Sequence, residues 1–191
     1  MAKNEVIQLV KGMIRRHEGV ILEAHSSVTL VLCGERRILI DTSTPQRREE
    51  LLSALEKRGL SPEDIDTVVL THLHADHTGN VDLFPNALLL AHVDEIPPQG
   101  IEPVLDEEEI CNGVSLMHTP GHTRGSMSVL VEADRRYVVA GDALPTMDNY
   151  MEWVPPGLNY YPELALRSMG RIVEMADIII PGHDSAFEVD R

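Results

Sequence analysis

The amino-acid sequence predicts an α+β protein whose short apolar strands end at turns rich in polar side chains. Residues 67–70 (TVVL) are β-branched and apolar, which indicates a buried strand. Residues 71–79 (THLHADHTG) follow directly, and four potential metal ligands fall within six of them. His72 and His74 are two residues apart, so on an extended backbone they point to the same side. Asp76 and His77 come after the chain has begun to curl, so this cluster can reach two metal positions.

Length and charge limit the classes to which this chain can belong. Its 191 residues suit one domain, residues 1–191, which would bury about 70% of the extended surface. The 16 Lys and Arg residues against 31 Asp and Glu residues give a net charge of −15, which disfavours nucleic acid and anionic membranes as partners. The first residues are charged and lack a long apolar run, so we expect no signal peptide, no membrane span and a cytoplasmic protein. Assembly into a homo-oligomer stays open.

The two cysteines, Cys33 and Cys111, are too few and too far apart in the sequence to indicate a disulfide framework or a cysteine-type zinc site. Cys33 ends an apolar strand, and Cys111 lies near a turn. Neither has the neighbours of an activated thiol. We therefore expect structural roles for both.

Short apolar runs bounded by turn residues predict the strands. They cover residues 6–10, 20–22, 28–32, 37–40, 67–70, 87–91, 114–118, 126–131, 137–140, 177–180 and 187–189. Gly34-Glu35 separates two of these runs and indicates a hairpin. A second hairpin is predicted across residues 134–136.

Two segments carry helix signals. Thr44-Pro45 offers a capping residue followed by a proline in the first turn, and we predict a helix from there to about Arg58, ended by Gly59. Residues 163–175 have apolar side chains at helical spacing. Shorter helical turns are predicted at residues 61–64 and 80–83. Residues 95–112 and 143–162 are rich in proline and are predicted to be mostly irregular, with an edge strand in the first.

The pattern of a short strand, a tight turn and a metal-type side chain recurs along the chain. His122 follows Pro120-Gly121, Asp142 follows Gly141, and His183 follows Pro181-Gly182. Glycine and proline suit these turns because a sharp bend aims the next side chain back over the strand ends. The ligands are then His72, His74, Asp76, His77, His122, Asp142 and His183. Nitrogen and oxygen ligands without sulfur suit zinc, iron or manganese better than a structural zinc site built on cysteine.

Taken in order, H-x-H-x-D-H, G-H-T, G-D and a late G-H resemble the metallo-β-lactamase superfamily, from Asp41 to His183. The resemblance implies a four-layer αβ/βα sandwich with the metals at one edge. It implies that His72, His74 and His122 hold a first metal, that Asp76, His77 and His183 hold a second, and that Asp142 bridges them. It also implies that Asp41 supports these ligands from behind.

The chemistry implied is hydrolysis without a serine or cysteine nucleophile. Two divalent ions, with Zn²⁺ favoured over Fe or Mn, lower the pKa of a shared water, and the resulting hydroxide attacks an ester, thioester, lactone or similar bond of a small substrate. Asp76 and Asp142 are the expected catalytic residues, with Asp76 orienting the nucleophile while it binds metal. We expect His92, Tyr150 and Trp153 to contact the substrate or to support the ligands.

Two alternatives use the same residue types. Residues 140–142 and 176–183 are similar to a small single-domain subgroup of the superfamily, which implies a phosphodiesterase or nuclease, although the charge of −15 disfavours nucleic acid. A single iron held by His72, His122 and Asp142 would instead support a dioxygenase of the persulfide dioxygenase type. Residues 95–112 and 143–162 are expected to determine the substrate.

Overall fold

A computed structural model describes residues 3–105 and 107–190 of the chain. The strands are β1 (Glu5–Val10), β2 (Met13–His17), β3 (Val20–His25), β4 (Val28–Cys33), β5 (Arg36–Ile40), β6 (Thr67–Val69), β7 (Leu88–His92), β8 (Glu102–Val104), β9 (Glu109–Cys111), β10 (Val114–His118), β11 (Met127–Glu132), β12 (Arg136–Gly141), β13 (Ile178–Pro181) and β14 (Phe187–Glu188). The helices are α1 (Arg48–Glu56), α2 (Ala75–Thr78), α3 (Met147–Glu152) and α4 (Pro162–Met175). Across the described ranges, no helix combines the length and the apolarity needed to cross a membrane.

Two six-stranded sheets form the framework. The first has the order β1-β4-β5-β6-β7-β8, and the second has the order β14-β13-β12-β11-β10-β9. In the first sheet β5, β6, β7 and β8 run parallel, and in the second β12 and β13 do. Because the carboxyl ends of parallel neighbours meet at one sheet edge, the residues that follow β5 and β6 come close together there.

Helices cover the outer face of each sheet, which gives the four layers that the resemblance implies. Apolar residues of the two inner faces, such as Ile40, Val69 and Val129, form one buried cluster between the sheets. Leu51 and Leu55 of α1 pack in a second cluster on the outside of the first sheet. On the outside of the second sheet, α4 contributes residues such as Met169 and Ile172 to a third cluster. The predicted α+β sandwich is confirmed.

The helix predicted after Thr44 begins in a different way. Pro45–Arg47 form a 3₁₀ turn, and regular α-helix starts only at Arg48. Thr44 is extended, but its side chain accepts no capping hydrogen bond from that turn. Its hydroxyl instead lies 2.5 Å from Nδ1 of His25. A tertiary contact has therefore replaced the local cap.

Three elements differ from the sequence prediction. β2 pairs with β3 in a separate two-stranded hairpin, where only the second strand was predicted in part. Residues 143–162 contain α3, whose first turn is capped by the Thr146 side chain accepting from the Asn149 amide. Residues 95–112 hold two short strands, β8 and β9, on different sheets. Exposed, proline-flanked segments give a weak local signal, and pairing in the fold decides their structure.

The two cysteines, whose spacing did not indicate a disulfide framework, are paired in the structure. Cys33 and Cys111 form a disulfide, with their Cα atoms 6.6 Å apart despite a separation of 78 residues. Cys33 ends β4 of the first sheet and Cys111 ends β9 of the second, so the bond joins the two halves of the sandwich. Sequence spacing did not predict this pair because the stacking of the sheets, and not the local chain, brings the two thiols together.

Candidate metal centre

The ligand-bearing turns of the two sheets meet at one edge of the sandwich. The turn after β6 comes from the first sheet, and His122, Asp142 and His183 follow β10, β12 and β13 of the second. The Met127 amide donates to the Thr71 carbonyl at 2.7 Å, which ties the sheets together at this point. The structure thus brings all seven residues of the predicted ligand set into one cluster, which we call the ligand cluster.

Three histidines form the first group within the ligand cluster. Nε2 of His72 lies 2.9 Å from Nδ1 of His74, and that same Nδ1 lies 3.0 Å from Nε2 of His122. His72 and His122 are buried, whereas His74 is exposed at the edge. Three ring nitrogens at this separation could hold one metal ion.

Asp76, His77 and His183 form the second group. Nε2 of His183 lies 3.5 Å from Oδ2 of Asp76. The Asp142 carboxylate stands between the groups. Its Oδ1 lies 3.4 Å from Nε2 of His77 and 3.2 Å from Nε2 of His183, while its Oδ2 lies 3.5 Å from Nε2 of His122.

Contacts behind the ligand cluster fix which nitrogen of each ring faces inward. Nδ1 of His122 donates to the Leu158 carbonyl at 2.7 Å, and Nδ1 of His183 donates to the His25 carbonyl at 3.0 Å. Nδ1 of His77 donates to the Asp41 carboxylate at 2.7 Å. Since carbonyl and carboxylate oxygens only accept, each Nδ1 carries a proton. The Nε2 atoms of these rings are left to converge on the cluster, as in metal sites with oriented histidines.

Thr71 and Asp41 organise the turn after β6. Asp41 accepts from the Thr71 amide and from its hydroxyl, both at 2.8 Å. With its own proton on Asp41, that hydroxyl accepts from Nδ1 of His72 at 3.2 Å. Asp41 therefore supports His77 directly and His72 through Thr71, and it is itself 3% exposed.

Two buried atoms test whether this arrangement fits a metal. In the part of the chain that the structure describes, Nε2 of His77 and Oδ1 of Asp142 have no hydrogen-bond partner, although they lie 3.4 Å apart. A buried polar atom without a partner costs roughly 1–3 kcal/mol, more for charged groups. Both atoms point into the cluster and are of types that bind divalent cations, so the residues fit a metal centre.

Burial and neighbouring charges shift the titration of the ligand cluster in opposite directions. Burial, with His77 nearby, lowers the pKa of His72 well below its usual value. Burial also disfavours the charged form of His77, but Asp41 and Asp142 outweigh it and raise the pKa of His77 well above its usual value. Asp142 likewise overcomes burial to raise the pKa of His183. For Asp142 burial is outweighed by His183 and His77, so its pKa falls well below the usual range.

Two positions next to the ligands require glycine for steric reasons. A Cβ on Gly182 would clash with Oδ1 of Asp142. Gly141 has a φ of +51°, and a Cβ there would lie 2.6 Å from the Thr71 hydroxyl. Only glycine lets the turns that carry Asp142 and His183 approach so closely.

Glu95 is a residue of the site that sequence reasoning missed. Its carboxylate accepts from the Leu73 amide at 3.0 Å, from the Thr123 hydroxyl at 2.5 Å and from the Gly125 amide at 3.1 Å. It thereby joins the turn that carries His72 and His74 to the turn that carries His122. Glu95 follows a strand, but acidic residues are so abundant in this chain that this position alone did not single it out.

The structure places His92, Tyr150 and Trp153 outside the cavity at the ligand cluster. His92 is buried and stacks on His118 with ring centroids 4.0 Å apart. Tyr150 packs against Phe187 on the outside of the second sheet, 5.2 Å between ring centroids. Trp153 directly follows α3 and is 47% exposed. None of the three lines the cavity among the residues that the structure describes. His92 is engaged with His118, and Tyr150 with Phe187, so neither ring faces the cavity.

The chain matches the family model described as Metallo-beta-lactamase superfamily over residues 22–93 and 93–183. It is 37% identical to a probable metallo-hydrolase of Methanocaldococcus jannaschii, over 92% of this chain and 85% of that protein. It is 35% identical to metallo-beta-lactamase domain-containing protein 1 of Xenopus laevis, over 95% and 80% of the two chains. An N-acyl homoserine lactonase of Bacillus thuringiensis is 31% identical, over 73% of this chain and 65% of the lactonase.

Among solved structures, a putative metallo-beta-lactamase from Thermotoga maritima superposes with a TM-score of 0.81 at 24% identity, and the match covers 97% of this chain and 99% of that one. This likeness shows the fold. Together with the family match and the relatives, it gives the class of protein. The chain belongs to the metallo-beta-lactamase superfamily, and it is a metal-dependent hydrolase.

Proposed function

We propose that the protein uses two metal ions to hydrolyse an ester, thioester, lactone or similar bond of a small substrate. The observation that carries this proposal is the position of Asp142. Its two carboxylate oxygens lie within 3.5 Å of ring nitrogens from both groups of the ligand cluster. A single carboxylate shared between two groups of ligands suits a pair of ions, whereas with one ion the second group would bind no metal.

The ligand roles follow from the two groups. His72, His74 and His122 would hold one ion, Asp76, His77 and His183 the other, and Asp142 would contact both. Divalent zinc fits the nitrogen and oxygen ligands, and iron or manganese would use the same atoms. When bound, the ion pair supplies Lewis acidity and a water of lowered pKa near neutral pH.

The remaining steps belong to side chains of this chain. The Asp76 side chain is 25% exposed and lines the cavity, whereas the Asp142 side chain is 10% exposed. With Oδ2 of Asp76 facing His183, its other oxygen can accept a hydrogen bond from the attacking water and orient it. Asp41 holds the Nδ1 proton of His77, which keeps Nε2 of that ring pointed inward.

The substrate class rests on the relatives and on charge. A relative named as an N-acyl homoserine lactonase supports lactones as the first substrates to test. The net charge of −15 disfavours polyanionic nucleic acid and makes the phosphodiesterase alternative the weaker one.

Metal content and a substrate panel test the proposal. Protein purified without added metal should contain two divalent ions per chain by mass spectrometry of the metal. One iron per chain, together with oxygen consumption when a persulfide is added as substrate, would support the dioxygenase and overturn the proposal. Activity should appear on lactones, aryl esters or thioesters, whereas turnover of bis-p-nitrophenyl phosphate alone would reassign the enzyme to phosphoryl transfer.

A further inference from the structure

A cavity of about 340 Å³ opens beside the ligand cluster, at the small end of the roughly 300–1,000 Å³ of small-molecule sites. Its floor is formed by ligand side chains, including His74, Asp76 and His122. One wall is the hairpin β2–β3, and the other is formed by residues 145 and 156–158. Six apolar side chains of these two walls line the cavity, namely Ile14, Ile21, Ala24, Pro145, Pro156 and Leu158. We call these six side chains together the apolar wall.

Arg16 is the one permanently cationic side chain among the described residues that line the cavity. It lies on β2, and an added Cβ on Gly157 would be 3.8 Å from its Nη2 atom. The guanidinium therefore reaches from the hairpin to the segment whose Leu158 carbonyl holds the His122 ring. Arg16 is exposed to solvent and lines the same cavity as His74, Asp76 and His122.

The guanidinium of Arg16 has no ion-pair partner among the described residues. No carboxylate in residues 3–105 and 107–190 lies in an ion pair with it, in a chain where acidic residues outnumber basic ones by 31 to 16. Its neighbour Arg15 shows the contrast, because Nη2 of Arg15 lies 3.1 Å from the Glu23 carboxylate. Arg15 does not line the cavity. The two adjacent arginines thus differ in whether their charge already has a partner.

We propose that Arg16 binds an anionic group of the substrate, a carboxylate or a phosphate monoester, while the apolar wall contacts the carbon skeleton between that group and the scissile bond. This inference rests on the proposed function, since it places the scissile bond at the ligand cluster. A planar guanidinium binds either anion through two parallel hydrogen bonds. In a protein of charge −15, a local cation beside the site is what lets an anionic substrate approach.

Matched aryl esters test the inference by activity. The first is 4-acetoxybenzoate, the second is the neutral 4-acetoxybenzamide, and the third, 4-acetoxyphenyl phosphate, carries the phosphate. In metal-loaded protein, Arg16→Gln should lower kcat/KM for the anionic esters about tenfold or more and change that for the amide by less than twofold. The better of the two anionic esters identifies the anion. Arg15→Gln is the matched control and should leave all three values unchanged.

A binding measurement keeps the inference testable if none of these esters is cleaved. Calorimetry with 4-acetamidobenzoate and 4-acetamidobenzamide, which replace the ester by an amide, should show tighter binding of the acid to the metal-loaded protein. That preference should disappear in Arg16→Gln and persist in Arg15→Gln. Equal effects of Arg16→Gln on the charged and neutral compounds, in either experiment, would overturn the role of Arg16. Failure of every ester, with the binding preference intact, would overturn only the choice of scissile bond.

Discussion

The two sides of the cavity are built in opposite ways. On the ligand cluster side, His72, His77 and Asp142 are buried and are held by contacts from several elements. On the hairpin side, β2 and β3 pair with no other strand of the described ranges, and Val20 and Leu22 are 61% and 55% exposed. A two-stranded hairpin alone has little stability of its own. The difference teaches that the chemistry is placed on the rigid side and the recognition of substrate on the side that tolerates change.

Loss of the Asp142 carboxylate should have the largest effect on turnover and metal content. Asp142→Ala should abolish detectable turnover and remove bound metal, because Asp142 lies between both groups of the ligand cluster. The loss should exceed the roughly 10–100-fold that removal of an outer partner causes. Metal content and kcat measure it. Asp148→Ala, an exposed acid in α3, is the control and should leave both unchanged; full activity of Asp142→Ala would contradict the shared role.

Acid should weaken metal binding to the ligand cluster, because protons compete with the metal for two of its histidines. Neighbouring carboxylates outweigh burial and raise the pKa values of His77 and His183. Below those raised values each ring carries a second proton, on Nε2, and that proton must leave before Nε2 can bind metal. Each competing proton lowers the apparent affinity by about tenfold per pH unit below the raised pKa. Calorimetry in buffers of different ionisation enthalpy should detect protons released as metal binds. Binding without proton release would show that these rings are already neutral.

Weakening the contacts of Glu95 should have a smaller effect on metal binding. Glu95 joins the turn that carries His72 and His74 to the turn that carries His122. Glu95→Gln keeps the size of the side chain but offers one acceptor oxygen where three donors from Leu73, Thr123 and Gly125 converge. We expect metal affinity to fall by about tenfold, within the range for outer partners of metal ligands, with the fold retained. Competition with a chromophoric chelator measures the affinity. Glu102→Gln, an exposed acid in β8, should show no change.

The smallest effect should come from the apolar wall. Ile21→Ser should raise KM about fivefold, with kcat and metal content nearly unchanged. The effect should be smaller than the roughly tenfold loss of discrimination that one methylene causes in a closed pocket, because Ile21 is 38% exposed. Steady-state kinetics separates the two constants. Val20→Ser, next to it on the hairpin and outside the cavity lining, is the control. A loss of metal in Ile21→Ser would show that the two sides of the cavity are coupled.

Most strands and the ligand cluster could be predicted because their signals are local. A short apolar run followed by glycine and a metal-type side chain is visible within a few residues, as at Gly141-Asp142 and Gly182-His183. Glu95 and Arg16 carry no such signal. One is an acid among many, and the other is a charged residue on an exposed strand, so their importance appears only from what lies opposite them in space.

The sequence by itself determined the types of residue at the site and the strands that present them, because side-chain chemistry and hydrophobic alternation act over a few positions. Only the tertiary structure decided which ends meet. Two stacked sheets join β4 to β9 through Cys33 and Cys111, and they bring His72 to His122 and Asp142. It also placed Arg16 over the cavity and turned His92 away from it. The physical reason is that packing of apolar faces between the sheets acts across the whole chain and sets contacts that no local pattern encodes.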